Sequence, residues 1–200
     1  MTLKKGILIV LEGVDGSGKT TQAKILLGTL RSRGYDAVYF REPSRGKWGK
    51  MIKEKALYAD SLSPEEELAL FHKDRKENVE RNLKPALARK QVVILDRYYF
   101  STIAYQGARG IDPAWIRRIN EEFAVKPDLV FILDIEAKKG LKRIEDRKRK
   151  DRLFEREDYL DKVRGIFKGM KGKNIVHIDG RRSAEKISQE IEKKVFDYIE

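Results

Sequence analysis

The chain has 200 residues, 40% hydrophobic and 38% charged, enough to bury a core within one domain without covalent crosslinks. It has no cysteine and only two, widely spaced histidines, His72 and His177, which excludes a disulfide scaffold, a thiol nucleophile and a Cys-based metal centre, and argues against a His-rich one. Forty-four Lys and Arg against 32 Asp and Glu leave a net charge of +12; nine basic and three acidic residues between 138 and 152 supply half of that excess, and such a surface attracts phosphate without saying whose.

In chain order, short apolar runs at residues 7–11, 37–40, 92–95, 129–133 and 175–178 read as strands buried on both faces of a parallel sheet. None is long enough to span a membrane, and the first is too short for a signal peptide and stops at Glu12, so a soluble, cytoplasmic protein is expected. Helical patterns alternate with the strands. The first covers 19–33 and stops at Gly34. Ser63-Pro64-Glu65-Glu66 forms a capping box that opens a long helix towards Arg89. Asp112-Pro113 starts a helix that ends before Pro127, and residues 136–150 and 157–168 continue the pattern. A last helix follows Ser183, with Ile187, Ile191, Val195 and Ile199 on one face. This order predicts an α/β fold: a doubly wound, five-stranded parallel sheet with helices on both faces, in a single domain over residues 1–200. The charged composition and only four Asn and four Gln point to a thermophilic source.

Directly after the first strand, Gly13-Val14-Asp15-Gly16-Ser17-Gly18-Lys19-Thr20 matches G-x-x-x-x-G-K-[ST]. Glycines let the backbone curl so that its N–H groups converge on phosphate oxygens, and the following helix adds its positive end. Lys19 would reach the β- and γ-phosphates, and Thr20 would ligate Mg²⁺. GTPases, motor ATPases and small kinases share this loop. The guanine-reading Asn-Lys-x-Asp is absent and the chain is short for a translocase, which leaves a small kinase. Asp96-Arg97-Tyr98 closes the third strand, at the sheet edge where ligands bind, so Asp96 would lie near the metal and Arg97 near a second phosphate. Arg41-Glu42-Pro43 brings another guanidinium to the same edge after the second strand.

Together these pieces resemble the thymidylate kinase family. The resemblance rests on Glu12 through Gln22, on Arg41-Glu42-Pro43, on Lys126-Pro127-Asp128-Leu129 with Leu133-Asp134, on Ile178-Asp179-Gly180 and, most specifically, on Asp96 through Gly107, which is similar to the family's DRY-x-x-S-x-x-AYQ signature. It implies MgATP as donor, dTMP as acceptor and a homodimer, with no nucleic-acid or membrane partner. The donor would meet Gly13, Val14, Asp15, Gly16, Ser17, Gly18, Lys19, Thr20, Thr21, Arg143 and Asp179. The acceptor phosphate would meet Arg41 and Arg97, and the sugar Asp15, with Tyr105 crowding the 2′ position. Phe71 would stack on the base and Arg75 donate to its O4 edge, with Ser101, Thr102 and Gln106 nearby. Phe71 and Arg75 share one helix face, and a guanidinium in an apolar stripe needs a partner, which a base carbonyl would supply.

Two departures stand out. Ser44-Arg45-Gly46 replaces the family's usual Gly-Gly-Thr, and Leu153 is inserted where the family's Asp-Arg-Phe-Glu is usual. Gly16-Ser17 occupies the place where some relatives carry a loop arginine, so a basic lid at residues 138–155 is expected to supply that charge through Arg147, Arg149 or Arg152. Candidate catalytic residues are thus Lys19, Arg97, Asp15 and those three arginines. A kinase for another pyrimidine monophosphate and a basic, nucleic-acid-dependent ATPase remain the alternatives, the second predicting steeply salt-dependent binding.

Overall fold

The computed structural model describes residues 3–55, 62–145 and 153–199. Five strands, β1 (Ile7–Glu12), β2 (Ala37–Arg41), β3 (Val92–Asp96), β4 (Leu129–Asp134) and β5 (Ile175–Asp179), form one wholly parallel sheet in the order β2-β3-β1-β4-β5. Because successive side chains of a strand point to opposite faces, β1 feeds two cores. Ile7, Ile9 and Leu11 pack with Ala23, Leu26 and Leu30 of α1 (Lys19–Ser32) and with Ile187, Ile191 and Val195 of α9 (Ala184–Ile199). Leu8 and Val10 face the opposite side, toward Leu68 of α3 (Pro64–Asn78), Ile103 of α5 (Tyr99–Gly107), Ile116 of α6 (Pro113–Glu121) and Val163 and Phe167 of α8 (Leu153–Gly169). Helices therefore cover both faces, as the strand–helix alternation predicts.

All five predicted strands form, and the capping box at Ser63 is present with both of its reciprocal hydrogen bonds. The long helix that follows is interrupted. A wider π-helical turn at Val79–Leu83 separates α3 from α4 (Lys84–Ala88), directly before Pro85, which has no N–H to donate and would crowd a carbonyl four residues back. α6 stops at Glu121, where the Phe123 and Ala124 N–H groups both turn back to the Asn120 carbonyl. Two helices are absent from the sequence reading: α2 (Lys47–Lys55) and α5, whose residues read as a motif rather than as an amphipathic pattern. α7 (Ala137–Glu145) lies within the predicted 136–150 helix, and α8 begins four residues before its predicted start. Among the described residues no helix is long and apolar enough to cross a membrane.

Register brings the site together. Leu11 of β1 and Arg41 of β2 both stand level with Asp96 of β3, so three strand ends open on one edge. β1 lies between β3 and β4, and its C-terminal end is where the connections part to either side, the place an open α/β sheet leaves a crevice.

Candidate active site

Residues 13–18 curl from β1 into the N-terminus of α1. Gly18 has φ +96° and Gly16 φ +77°, a region that disfavours side chains, and Gly16 has no space for one either. A Cβ on Gly16 would meet the Gly140 carbonyl oxygen at 2.1 Å, and one on Gly140 would meet the Asp15 carbonyl oxygen at 2.4 Å. Helix α7 thus rests backbone to backbone on the crest of the loop, and Arg143, one turn further on, donates from Nη1 to the Gly16 carbonyl at 3.3 Å. Lys19 is buried beneath. Its Nζ donates to the carbonyls of Gly13 (2.9 Å) and Val14 (2.8 Å) and to Ser17 Oγ (3.3 Å). Burial, and then the Arg97 charge, hold its pKa well below the ordinary lysine value, a penalty that a bound phosphate would relieve.

The loop lines an open cavity of about 500 Å³ that also meets Arg41, Asp96, Arg97, Arg143 and, from the start of α9, Arg182, Ala184 and Ile187. At its floor the Thr20 hydroxyl donates to Asp96 Oδ2 at 2.5 Å, and the Tyr39 hydroxyl donates to the same oxygen at 3.1 Å. A hydroxyl and a carboxylate beside a phosphate-binding loop form an all-oxygen donor pair of the kind Mg²⁺ takes when phosphates and water complete its shell. These residues fit that ion.

A second cavity of about 250 Å³ adjoins the first, lined by Phe71, Arg75, Arg97, Ser101, Thr102, Tyr105, Gln106 and Tyr159. Arg97 and Asp15 line both cavities and form an ion pair between them. Arg97 adopts φ +70°, uncommon for a residue with a side chain, while its N–H bonds the Leu11 carbonyl at 3.0 Å. Strain of this kind, on the order of 1–3 kcal/mol, gathers where a side chain must be aimed. The guanidinium donates to Ser101 Oγ at 3.1 Å and lies over the Tyr105 ring, 5.3 Å from its centroid. Glu12, wholly buried, holds the turn in place by accepting from the Tyr98 N–H (2.7 Å), the Ser101 N–H (3.1 Å) and the Ser101 hydroxyl (2.5 Å). Burial pushes its carboxyl above the ordinary range in spite of these donors.

Arg75 corrects part of the sequence argument. Its guanidinium is 1% exposed and finds its partners inside the protein: Glu42 (Nε 2.9 Å, Nη2 2.7 Å), Asn120 Oδ1 (2.6 Å) and Thr102 Oγ1 (2.9 Å). The case for a base carbonyl as the missing partner therefore falls, although Arg75 still lines the second cavity. Phe71, by contrast, is half-buried on the cavity wall and outside the packed cores. Gln106 donates to Glu67 Oε2 at 2.7 Å, leaving Oε1 buried without a partner. Arg41 is exposed and lines the first cavity rather than the second. Asp179 does not line the loop cavity; its carboxylate holds a two-point pair with Arg181 (2.8 and 2.9 Å), which lowers its pKa. Ser44 of the unusual Ser44-Arg45-Gly46 stretch is fixed to α3: its N–H and hydroxyl donate to Asp74 at 2.8 and 2.5 Å. Arg147, Arg149 and Arg152 lie outside the described residues. A larger but shallow depression of about 910 Å³ between α6 and the end of α8 has no phosphate-binding element opening into it.

The sequence reading did not single out Tyr39, Asp74 or Tyr159, and it took Glu12 as the end of the first strand and the first residue of the loop stretch, with no role of its own.

A family model described as thymidylate kinase matches residues 11–191. The chain belongs to the thymidylate kinase family. It is 42% identical over 193 residues to a probable thymidylate kinase of Archaeoglobus fulgidus, covering 96% of each chain. A thymidylate kinase of Akkermansia muciniphila is 45% identical over 190 residues, 95% of this chain and 91% of its own. For a probable thymidylate kinase of Thermococcus kodakarensis the values are 44% over 181 residues, 82% and 87%. Family membership accounts for a kinase loop facing a second cavity, and the fold is that of the P-loop monophosphate kinases.

Proposed function

We propose that the protein transfers the γ-phosphoryl group of MgATP to dTMP, giving ADP and dTDP. One observation carries this reading: the loop cavity and the side-chain cavity share Arg97 and Asp15 as a common wall, which suits two phosphates brought together in line. ATP takes the first cavity, with Lys19 and the loop N–H groups on its phosphates. Thr20 and Asp96 would hold Mg²⁺, which neutralises phosphate charge when bound. dTMP takes the second, its phosphate on Arg97 and its base against Phe71.

The acceptor phosphate has a second pKa near about 6 and is already a dianion at neutral pH, so no side chain need remove a proton. What the protein supplies is alignment and positive charge. Bringing the two reactants into line contributes by proximity, and an arginine that meets the transferring group is worth roughly 10³–10⁵ in rate. Arg97 acts from the acceptor side. For the donor side the charge is assigned to Arg147, Arg149 or Arg152 of the basic lid expected at 138–155, which would exclude water on closing. We extend the proposal to a homodimer acting in the cytoplasm.

A coupled assay of ADP release with dTMP, dUMP, dCMP and UMP tests the reaction; dTMP should give the highest kcat/KM. Turnover with another monophosphate but not dTMP, or turnover that requires nucleic acid, would overturn it.

A further inference from the structure

Tyr159 stands on α8, outside every motif of the chain, yet its ring lines the second cavity and its hydroxyl donates to the Tyr105 carbonyl at 2.9 Å. That carbonyl lies in the last turn of α5, where helix carbonyls lose their partners. The Ala108 N–H goes to Ala104 and the Arg109 N–H to Gln106, so Tyr105 is passed over and Tyr159 is what satisfies it. Burial pushes the Tyr159 phenol up, so at neutral pH it remains a donor. From Tyr105 the contacts continue to the loop, because the Tyr105 hydroxyl accepts the Asp15 N–H at 3.1 Å and its ring lies under Arg97. α8 also packs on α7 through Leu160 and Leu141, and α7 touches the same loop at Gly16. In this structure Lys19 donates to the loop's own carbonyls, and a bound phosphate would compete for that donor.

We infer that Tyr159 is a positioning residue that couples the two cavities, so that filling the loop cavity tightens binding in the other through Asp15, Tyr105 and α8. The inference rests on the proposed function for the identity of the two ligands.

Calorimetry on the whole protein reads it directly: the Kd of dTMP is measured without and with a non-transferable β,γ-imido analogue of ATP and Mg²⁺. In the unaltered protein the analogue should tighten dTMP by about 5-fold or more, the lower end of ordinary coupling between sites. Tyr159→Phe keeps the ring and loses the hydroxyl. It should bring that ratio below about 2 while dTMP alone binds within about 3-fold of normal. Tyr105→Phe should also bring that ratio below about 2, whatever it does to dTMP binding alone, and the double variant should lower the ratio no further, as expected of two links in one chain. Tyr198→Phe removes a tyrosine hydroxyl that donates to Asp128 at 2.7 Å, away from both cavities, and should leave the ratio intact. A lowered melting temperature in Tyr159→Phe with an unchanged ratio would make the residue merely structural and overturn the inference. So would an unaltered protein that binds dTMP but shows no coupling. Absence of dTMP binding altogether would instead remove the substrate assignment, and the inference with it.

Discussion

The two cavities sit side by side but are built differently. The first is built around one contiguous stretch of backbone: residues 13–20 supply its loop, its buried lysine and the Thr20 hydroxyl within a span of eight positions. The second is made by side chains from α2, α3, α5 and α8 and from the turns after β2 and β3, backed by the buried Glu42–Arg75–Asn120–Thr102 network. A backbone cradle binds whatever carries phosphates in the right geometry. A side-chain pocket can discriminate, and its own rigidity depends on charges it has buried. Selectivity and stability are thus entangled in the second cavity and separable in the first.

The largest effects should come from the charges on either side of the shared wall. Lys19→Ala and Arg97→Ala are each expected to lower kcat/KM by roughly 10³-fold or more. The binding they leave should be opposite: Lys19→Ala keeps dTMP affinity, Arg97→Ala keeps ATP affinity, and calorimetry separates them. If Arg97→Ala binds dTMP normally, the division between the cavities is drawn in the wrong place.

Stability should divide the same way. Arg75→Ala leaves Glu42 buried beside an empty site and is expected to cost about 3–5 kcal/mol in denaturant unfolding. Arg143→Ala, exposed over the loop cavity, should fall within about 0.5 kcal/mol. Equal costs for the two would dissolve the contrast. Next in size, Tyr105→Ala should raise use of UMP relative to dTMP by roughly 10-fold, since opening a crowded wall is worth about what one methylene discriminates. Relative kcat/KM values measure it, and an unchanged ratio would move sugar selection elsewhere.

The smallest expected effect is on pH dependence. Burial raises the Glu12 carboxyl, so the folded protein keeps a proton at pH values where the unfolded chain has lost it. That contribution is full below the ordinary carboxylate range and is lost as pH rises through the raised native value. Glu12→Gln should therefore flatten the decline in unfolding free energy between pH 5 and 8, read from urea titrations, by on the order of 1 kcal/mol. Parallel curves for the two proteins would show that Glu12 is not the group responsible.

What the sequence made legible follows the same contrast. The loop was readable because its chemistry is contiguous and its glycines have steric reasons to be there. Strands buried on both faces advertise themselves as unbroken apolar runs, so all five were found. α5 was not, because a helix covered by α6, α8 and α3 has no polar face to reveal its period, and α2 carries too little apolar surface to stand out. Arg75 was recognised as unusual, but its partners lie 33, 45 and 27 residues away, and no local pattern names them. Tyr159 was invisible for the same reason: a single hydroxyl on a distant helix gains its meaning only from the carbonyl it reaches.

The contact between Gly16 and Gly140 has a consequence for how this chain can change. An arginine placed at position 16 would drive its Cβ into the backbone of α7 before its guanidinium reached any phosphate. At position 16 the charge cannot enter by one substitution. Any route through that position must first lift α7, because no side-chain change at position 140 removes the backbone carbonyl in the way. The place where the loop has no room for a side chain thus keeps an arginine out of position 16, and two glycines 124 residues apart depend on each other for one contact.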